Sequence, residues 1–175
     1  MDIQIFERGT LKIKVKKTTL AVNPKSSIQK FDADAIVLMD KDSDTSRINN
    51  FRVVIDAPGE YEVSGLKISG VKTEDSDNIM FVLTSGLVAT LIAKASYLEK
   101  ASAEKIGEYE ILVIDADVDL NQGLITAMEP KVVILYGVKA KEGAKALGKD
   151  AAPASSKIAL SEDKLPEEMN VQILG

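Results

Sequence analysis

The sequence predicts an α+β fold in which strands and helices form separate layers. Two observations lead to this prediction. In the first half, short apolar or alternating segments are separated by turn residues, which is typical of consecutive β-strands. From Ser96 onward, segments with helical spacing alternate with short, wholly apolar segments. Such alternation of helices with buried strands indicates a layered α/β arrangement.

The individual elements follow from the same patterns. Strands are predicted at residues 3–6, 11–15, 19–22, 35–39, 52–56, 61–64, 66–69, 79–83, 87–92, 111–114, 131–136 and 171–174. Helices are predicted from Ser96, as a plausible N-cap, through Ile106, and at residues 119–128 and 141–147. Residues 151–156 are small and predict a loop. Neither a repeat nor an interdomain linker is evident, so residues 1–175 are expected to form a single domain.

Segment 51–70, FRVVIDAPGEYEVSGLKISG, predicts three strands joined by two tight breaks. Pro58 fixes φ and Gly59 tolerates positive φ, so this pair predicts a turn. Pro58, Gly59, Glu60 and Tyr61 are therefore interpreted as a structural motif and not as part of a functional site. We expect Gly59→Val to destabilise the protein by about 1–3 kcal/mol.

Composition excludes several classes of function. The net charge of −5 argues against nucleic-acid binding, which needs a basic face. The chain has no Cys, so it has neither a disulfide framework nor a thiolate metal site. It also has no His, the commonest metal ligand and the usual general base near neutral pH. No apolar run is long enough to span a membrane and no signal-peptide pattern begins the chain, so we expect a cytoplasmic protein.

Several segments in the same order resemble the metallo-β-lactamase fold, in the branch that includes ascorbate-6-phosphate-lactonase-like hydrolases. The segments are residues 51–70, TLAVNP at 19–24, ADAIVL at 33–38, EPKVVI at 129–134, and SEDKLPEE at 161–168 followed by the last strand. In TLAVNP, Asn23 stands where the family has Asp. The resemblance implies an αββα sandwich, in a short version.

The resemblance also implies where a metal site would lie and that its ligands are missing. The family motif Thr-His-x-His-x-Asp-His matches residues 39–45, MDKDSDT, in which only Asp44 is retained. The family's metal-ligand positions correspond here to Asp40, Asp42, Asp44, Thr45, Asp75, Lys94 and Gly137. Zinc hydrolysis by the family mechanism requires the missing histidines. We therefore predict no catalytic residues, no metal and no cofactor.

Two other metal-site hypotheses start from the acidic loop. Asp40, Asp42 and Asp44 have the D-x-D-x-D spacing that begins a calcium loop, but Thr45 and Phe51 occupy the positions that require Gly and Glu. A solvated loop is the simpler interpretation. The alternative function is a hydrolase with an all-carboxylate Mg²⁺ or Mn²⁺ site, built from these three acids and Asp75.

Two further motifs are interpreted as structural. Residues 143–150, GAKALGKD, imitate a phosphate-binding loop, but Asp150 stands where a hydroxyl must meet Mg²⁺. A helix that ends at Gly148 explains the segment better. Serine nucleophiles lack a base in this sequence, so Ser102 is interpreted as an ordinary helix-surface residue.

The expected function is non-catalytic: a binding or assembly module whose partner is an unidentified protein or a second copy of the chain, with neither nucleic acid nor membrane involved. At the site, we expect Lys94 to replace the metal. The carboxylates of Asp40, Asp42, Asp44 and Asp75 are expected to converge there, where an ammonium would offset their repulsion. The hypothesis requires the Lys94 ammonium within about 4 Å of one carboxylate. The other interpretation is that Lys94 points into solvent.

Overall fold

The chain folds into two mixed β-sheets that face one another. The computed structural model describes residues 1–73, 77–99, 107–148 and 153–175. The first sheet has six strands in the order β14-β1-β2-β3-β5-β7. Its strands are β1 (Asp2–Ile5), β2 (Leu11–Val15), β3 (Thr18–Val22), β5 (Ala35–Val37), β7 (Val53–Ile55) and β14 (Lys157–Ala159). A separate parallel pair is formed by β4 (Phe31–Asp32) and β6 (Ile48–Asn49).

The second sheet has seven strands in the order β15-β13-β12-β11-β10-β9-β8. Strands β8 to β11 form an antiparallel meander, whereas β11, β12, β13 and β15 run parallel. The bounds are β8 (Gly59–Val63), β9 (Leu66–Lys72), β10 (Ile79–Ser85), β11 (Val88–Lys94), β12 (Ile111–Asp115), β13 (Val132–Tyr136) and β15 (Asn170–Ile173). The parallel strands therefore bring their carboxyl ends to one edge of the sandwich.

Aliphatic side chains from both sheets form the central core. Buried residues such as Ile13 and Leu20 from the first sheet and Phe81 and Ile134 from the second belong to the same cluster. A second cluster lies on the outer face of the seven-stranded sheet, which is covered by α1 (Ala95–Leu98), α2 (Gln122–Ala127) and α3 (Ala140–Ala146). This layering of strands and helices confirms the predicted α+β sandwich.

The outer face of the six-stranded sheet is covered differently. Ala21 and Ile36 from that face pack with Phe31 and Ile48 of the β4–β6 pair, which occupies the place of a helical layer among the described residues. The other helical segments of the described residues are short 3₁₀ turns, at Glu7–Gly9, Thr45–Arg47 and Glu162–Lys164.

Two local features differ from the prediction. Ser96 does not cap α1, because the helix begins at Ala95 and Lys94 is its N-cap residue. Strand β14 was missed, since its three residues alternate too briefly to give a periodic signal. Residues 100–106, which include Ser102 and the end of the predicted helix, lie outside the described residues. The helix in the phosphate-loop imitation is α3, and Gly148 follows it with φ +68° and donates to the Lys145 carbonyl oxygen at 2.9 Å.

The Pro58–Gly59 segment connects the two sheets at their edges. Gly59 begins β8 with φ +146°, a conformation that favours glycine. The Tyr61 hydroxyl donates to the Ala57 carbonyl oxygen at 3.1 Å, and the Ser69 hydroxyl donates to a Glu60 carboxylate oxygen at 2.7 Å. Both contacts are local. The first holds Tyr61 to the segment before β8, and the second ties the start of β8 to β9.

Candidate functional site

Three side chains stand in a row at the carboxyl ends of adjacent parallel strands. Lys94 ends β11, Asp115 ends β12 and Tyr136 ends β13, and the strand register pairs Lys94 with Asp115 and Asp115 with Tyr136. Residues two positions earlier on each strand belong to the central core. Because strand side chains alternate between faces, all three of these side chains point between the sheets.

A fourth side chain, Asp40, comes from the facing sheet. The chain leaves β5 at Val37, and the buried Asn23 holds the next residues: its amide oxygen accepts from the Met39 N–H at 2.7 Å and from the Asp40 N–H at 3.1 Å. Asn23 thus holds the loop by its side-chain oxygen, in the place where the family resemblance has Asp.

Lys94 and Asp40 form a partly buried ion pair. Lys94 Nζ lies 2.5 Å from Asp40 Oδ1, and each side chain is 17% exposed. Lys25 Nζ lies 3.8 Å from Asp40 Oδ2 and 2.8 Å from Asp42 Oδ1. The contact expected of Lys94 is therefore confirmed as geometry, and the interpretation that it points into solvent is wrong.

Burial and the ion pair act in opposite directions on Lys94. Burial lowers the pKa of its ammonium, but the hydrogen bond and negative charge of Asp40 outweigh that effect, and the net pKa is raised. Lys94 therefore carries a proton at neutral pH. A protonated lysine is neither a nucleophile nor a general base, so its role here is that of a fixed positive charge.

Asp115, the middle residue of the row, has a strongly raised pKa. Burial raises its pKa to about 6; the nearby positive charge of Lys94 opposes this, while the charges of Asp117 and Asp40 add to it. Gly137, with φ +93°, follows β13, and a Cβ built there would collide with Asp115 Oδ1. A side chain at position 137 is thereby excluded from the space that the Asp115 carboxyl occupies.

Asp117 has a structural role beside the row. One of its carboxylate oxygens accepts from the Ser96 N–H at 3.0 Å and the other from the Ser96 hydroxyl at 2.5 Å. Asp117 thus supplies an acceptor to the first turn of α1, which directly follows Lys94. This contact fixes the start of the helix that carries Tyr97.

Two tyrosines enclose the ion pair. The Tyr97 hydroxyl donates to the Met39 carbonyl oxygen at 3.1 Å, and Lys94 Nζ lies 5.8 Å from the Tyr97 ring centre. The Tyr136 hydroxyl is fully buried and has no hydrogen-bond partner among the described residues. Burial raises its pKa well above the usual value, and the negative charges of Asp115 and Asp40 add to this effect.

The remaining predicted site residues do not converge on Lys94. The Asp42 side chain is 81% exposed and binds Lys25, and this hydrogen bond lowers its pKa. Asp44 caps the 3₁₀ turn that begins at Thr45, accepting from the Ser46 N–H at 2.8 Å, and this bond lowers the pKa of Asp44. The expectation that these two acids gather around Lys94 is wrong; Asp42 instead shares Lys25 with Asp40. Asp75 lies outside the described residues.

The donors at this position do not fit the zinc centre of the family. Among the described residues, no group of three His, Cys, Asp or Glu side chains is placed to hold a metal ion. The Lys94 ammonium already binds Asp40, and Gly137 offers no side chain. A metal ion at this point would meet a positive charge at hydrogen-bond distance from its carboxylate ligand.

A cleft opens beside the ion pair. Its volume is about 490 Å³, and its lining includes Met39, Asp40, Lys41, Asp56, Ile79 and Tyr97. The walls combine apolar side chains with charges of both signs. The cleft therefore carries no single chemical signature of a ligand.

Sequence reasoning missed Asp115, Asp117 and Tyr136. A signal was present: ILVIDAD and VVILYG each place a polar group immediately after a buried apolar run, as LIAK does at Lys94. Parallel strands end at the same edge of a sheet, so Lys94, Asp115 and Tyr136, which end these strands, were candidates for one cluster.

Solved structures share this arrangement of sheets. A protein of Thermotoga maritima, assigned as a Zn-dependent hydrolase of the metallo-β-lactamase superfamily, is 22% identical over 99% of this chain and 98% of that chain, with a TM-score of 0.77. The metallo-β-lactamase fold protein YhfI of Bacillus subtilis is 8% identical over 98% and 95%, with a TM-score of 0.56. An isothiocyanate hydrolase from Delia radicum gut bacteria is 13% identical over 92% and 100%, with a TM-score of 0.58.

Sequence comparisons add nothing to these structural likenesses: no family model and no curated protein matches the chain. In the described part of the chain, no helix is long and apolar enough to cross a membrane. The two facing sheets, the position of the cluster at the carboxyl ends of the strands and the solved structures together lead to one conclusion. The chain has the metallo-β-lactamase fold.

Proposed function

We propose that the protein is a non-catalytic member of the metallo-β-lactamase superfamily, from the branch of ascorbate-6-phosphate-lactonase-like hydrolases, acting in the cytoplasm as a binding or assembly module. One observation carries the proposal. The Lys94 ammonium lies 2.5 Å from Asp40 at the position where the family resemblance has a metal ligand. A protonated amine there supplies the positive charge that the carboxylate needs and repels a divalent cation.

The surroundings of Lys94 support the same proposal. Zinc enzymes need a metal-bound water of lowered pKa, and the described residues near Lys94 include no donor set that would hold such an ion. The Tyr136 ring is fully buried beside the acidic groups, and a Cβ at Gly9 would lie 3.6 Å from it. The partner is an unidentified protein or a second copy of the chain.

Metal analysis and melting experiments test the proposal. The purified protein should contain no stoichiometric metal, and its melting temperature should not change with excess EDTA or with Zn²⁺, Mg²⁺, Mn²⁺ or Ca²⁺, because a metal bound only by the native state must raise it. Lys94→Asp is the variant to compare with the unmodified protein. It places an acid at the family's metal-ligand position and leaves the other residues unchanged. Stoichiometric metal in the unmodified protein, with a melting temperature that falls on chelation, would contradict the proposal and favour a carboxylate-bound Mg²⁺ or Mn²⁺ hydrolase.

A further inference from the structure

The two sides of the sandwich differ in how their edge strands are covered. On one side the chain covers the strand edges itself: the Ser155 N–H donates to the Ile173 carbonyl oxygen at 3.0 Å, and the Gly175 N–H donates to the Ser155 carbonyl oxygen at 3.1 Å. The same segment continues into β14, which pairs with β1 of the facing sheet. Residues 155–159 therefore link the two sheets and cap this side.

On the other side, the seven-stranded sheet ends in β8, which pairs only with β9 among the described residues. Strand β8 is five residues long, and Glu60 and Glu62 are exposed on it. The neighbouring edge strand β7, in the other sheet, has only three residues. Short edge strands offer little to a partner, so β8 is the edge with more available backbone.

The hairpin geometry identifies which backbone groups of β8 do not pair with β9. Ser64 and Gly65 both have positive φ, as in a type I′ turn, which makes Val63 and Leu66 a hydrogen-bonded pair. Hydrogen-bonded and non-hydrogen-bonded pairs alternate along an antiparallel ladder. Glu60 and Glu62 then fall at non-hydrogen-bonded positions. Their N–H and C=O groups point away from β9, toward the open edge.

The side chains of β8 indicate what kind of strand would fit this edge. Glu60 and Glu62 lie on one face of the sheet, while Tyr61 and Val63 pack toward the central core. A second copy of β8, antiparallel and centred on Tyr61, would put Glu60 of one chain opposite Glu62 of the other. Like charges directly opposite each other destabilise a sheet, so the edge disfavours its own copy and favours basic side chains at alternate positions.

We propose that β8 is a docking edge for an extended segment of a partner protein with Lys or Arg at alternate positions. The segment adds an eighth strand to the sheet through the backbone groups of Glu60 and Glu62, and its basic side chains lie opposite the two carboxylates. This inference rests on the proposed function as a binding module and names the surface and partner chemistry for it.

A peptide of alternating threonine and lysine, acetylated and amidated, is the probe, and the matched threonine–glutamate peptide is its control. We expect the basic peptide to slow hydrogen exchange at the Glu60 and Glu62 amides, and the acidic peptide to leave them unchanged. The double variant Glu60→Gln, Glu62→Gln keeps the backbone and removes the charge. It should weaken binding of the basic peptide roughly two- to thirtyfold, as expected from two opposite-charge cross-strand pairs.

Glu62→Pro removes the outward N–H and should abolish the protection, since proline is tolerated at sheet edges but cannot donate. The melting temperature and the hydrogen-exchange pattern of the Glu62→Pro variant are compared with those of the unmodified protein, to check that the variant folds. Binding that persists in Glu62→Pro, or that occurs without amide protection at β8, would be general electrostatic attraction and would overturn the inference, as would self-association through this edge. Metal bound to the unmodified protein would contradict only the proposed function. If the protein is metal-free but the basic peptide does not bind at β8, only the docking edge is contradicted.

Discussion

The strand-end cluster and the β8–β9 hairpin show two ways in which the chain relates to its fold. The hairpin follows the Pro58–Gly59 bend, forms one edge of its sheet and depends on backbone geometry that glycine permits. The cluster has none of the family's metal histidines and buries charged groups around Lys94. A backbone motif therefore depends on one or two residues, whereas a buried polar site depends on every group that faces it.

The largest effect is expected at Gly137, which borders the strand-end cluster. Gly137→Ala places a Cβ against Asp115 Oδ1 in a backbone conformation with φ +93°, so we expect a loss of about 2–4 kcal/mol. Gly148→Ala is the matched control: its φ is +68° and its Cβ would meet nothing within 4 Å, so strain alone should cost about 1 kcal/mol. Urea unfolding of both variants measures the difference, and equal losses would show that the Asp115 contact is unimportant.

Asp115 should make stability depend on pH. Its pKa rises from 3.8 in the unfolded chain to about 6 in the folded protein, so the folded state holds the proton more tightly. The resulting stabilisation is present below pH 3.8 and is lost as pH rises through 6. Asp115→Asn removes this loss, and we expect the variant to gain about 1–3 kcal/mol relative to the parent between pH 4 and pH 7.

The measurement for Asp115 is the unfolding free energy of both proteins across that pH range. Asp119→Asn serves as the control, since the Asp119 side chain is 81% exposed. If the unfolding free energies of Asp115→Asn and the parent differed by the same amount at all pH values, the raised pKa assigned to Asp115 would be contradicted.

Lys94→Met tests whether the ion pair stabilises the fold. We expect a loss of about 1–3 kcal/mol at pH 7, because partly buried Asp40 would lose its nearer cation and keep only Lys25, 3.8 Å away. Lys72→Met removes an exposed pair, in which Lys72 Nζ lies 3.1 Å from Asp77 Oδ1, and should cost well under 1 kcal/mol. Equal effects of the two substitutions would place Lys94 among ordinary surface pairs.

Gly59→Val should have the smallest effect of the four. A Cβ there would lie at ordinary distances from the Tyr61 ring, the nearest being 3.5 Å, so only the positive φ of +146° opposes it. We expect a loss of about 1–2 kcal/mol, at the lower end of the range expected from the sequence. An unchanged denaturation midpoint and slope would show that the motif tolerates any residue.

Much of the fold was predictable because local patterns were strong. The buried runs at Ile111–Asp115 and Val132–Tyr136 are continuous and apolar, and strands form there. The short β14 escaped prediction because three residues do not establish a period, and its partner β1 lies more than 150 residues away. The cap of α1 was misassigned because its acceptor, Asp117, comes from another part of the chain.

At the site, the sequence by itself determined that no histidine or cysteine is available, and the resemblance singled out Lys94. Only the tertiary structure decided which acid meets it. Asp40, Asp42 and Asp44 alternate in sequence, yet Asn23 holds Asp40 toward Lys94, while Lys25 and the 3₁₀ turn engage the other two. Asp115 came within reach because the carboxyl ends of parallel strands share one edge. Sequence spacing records which groups exist, but contacts between distant segments decide which are buried together, and burial sets their charge.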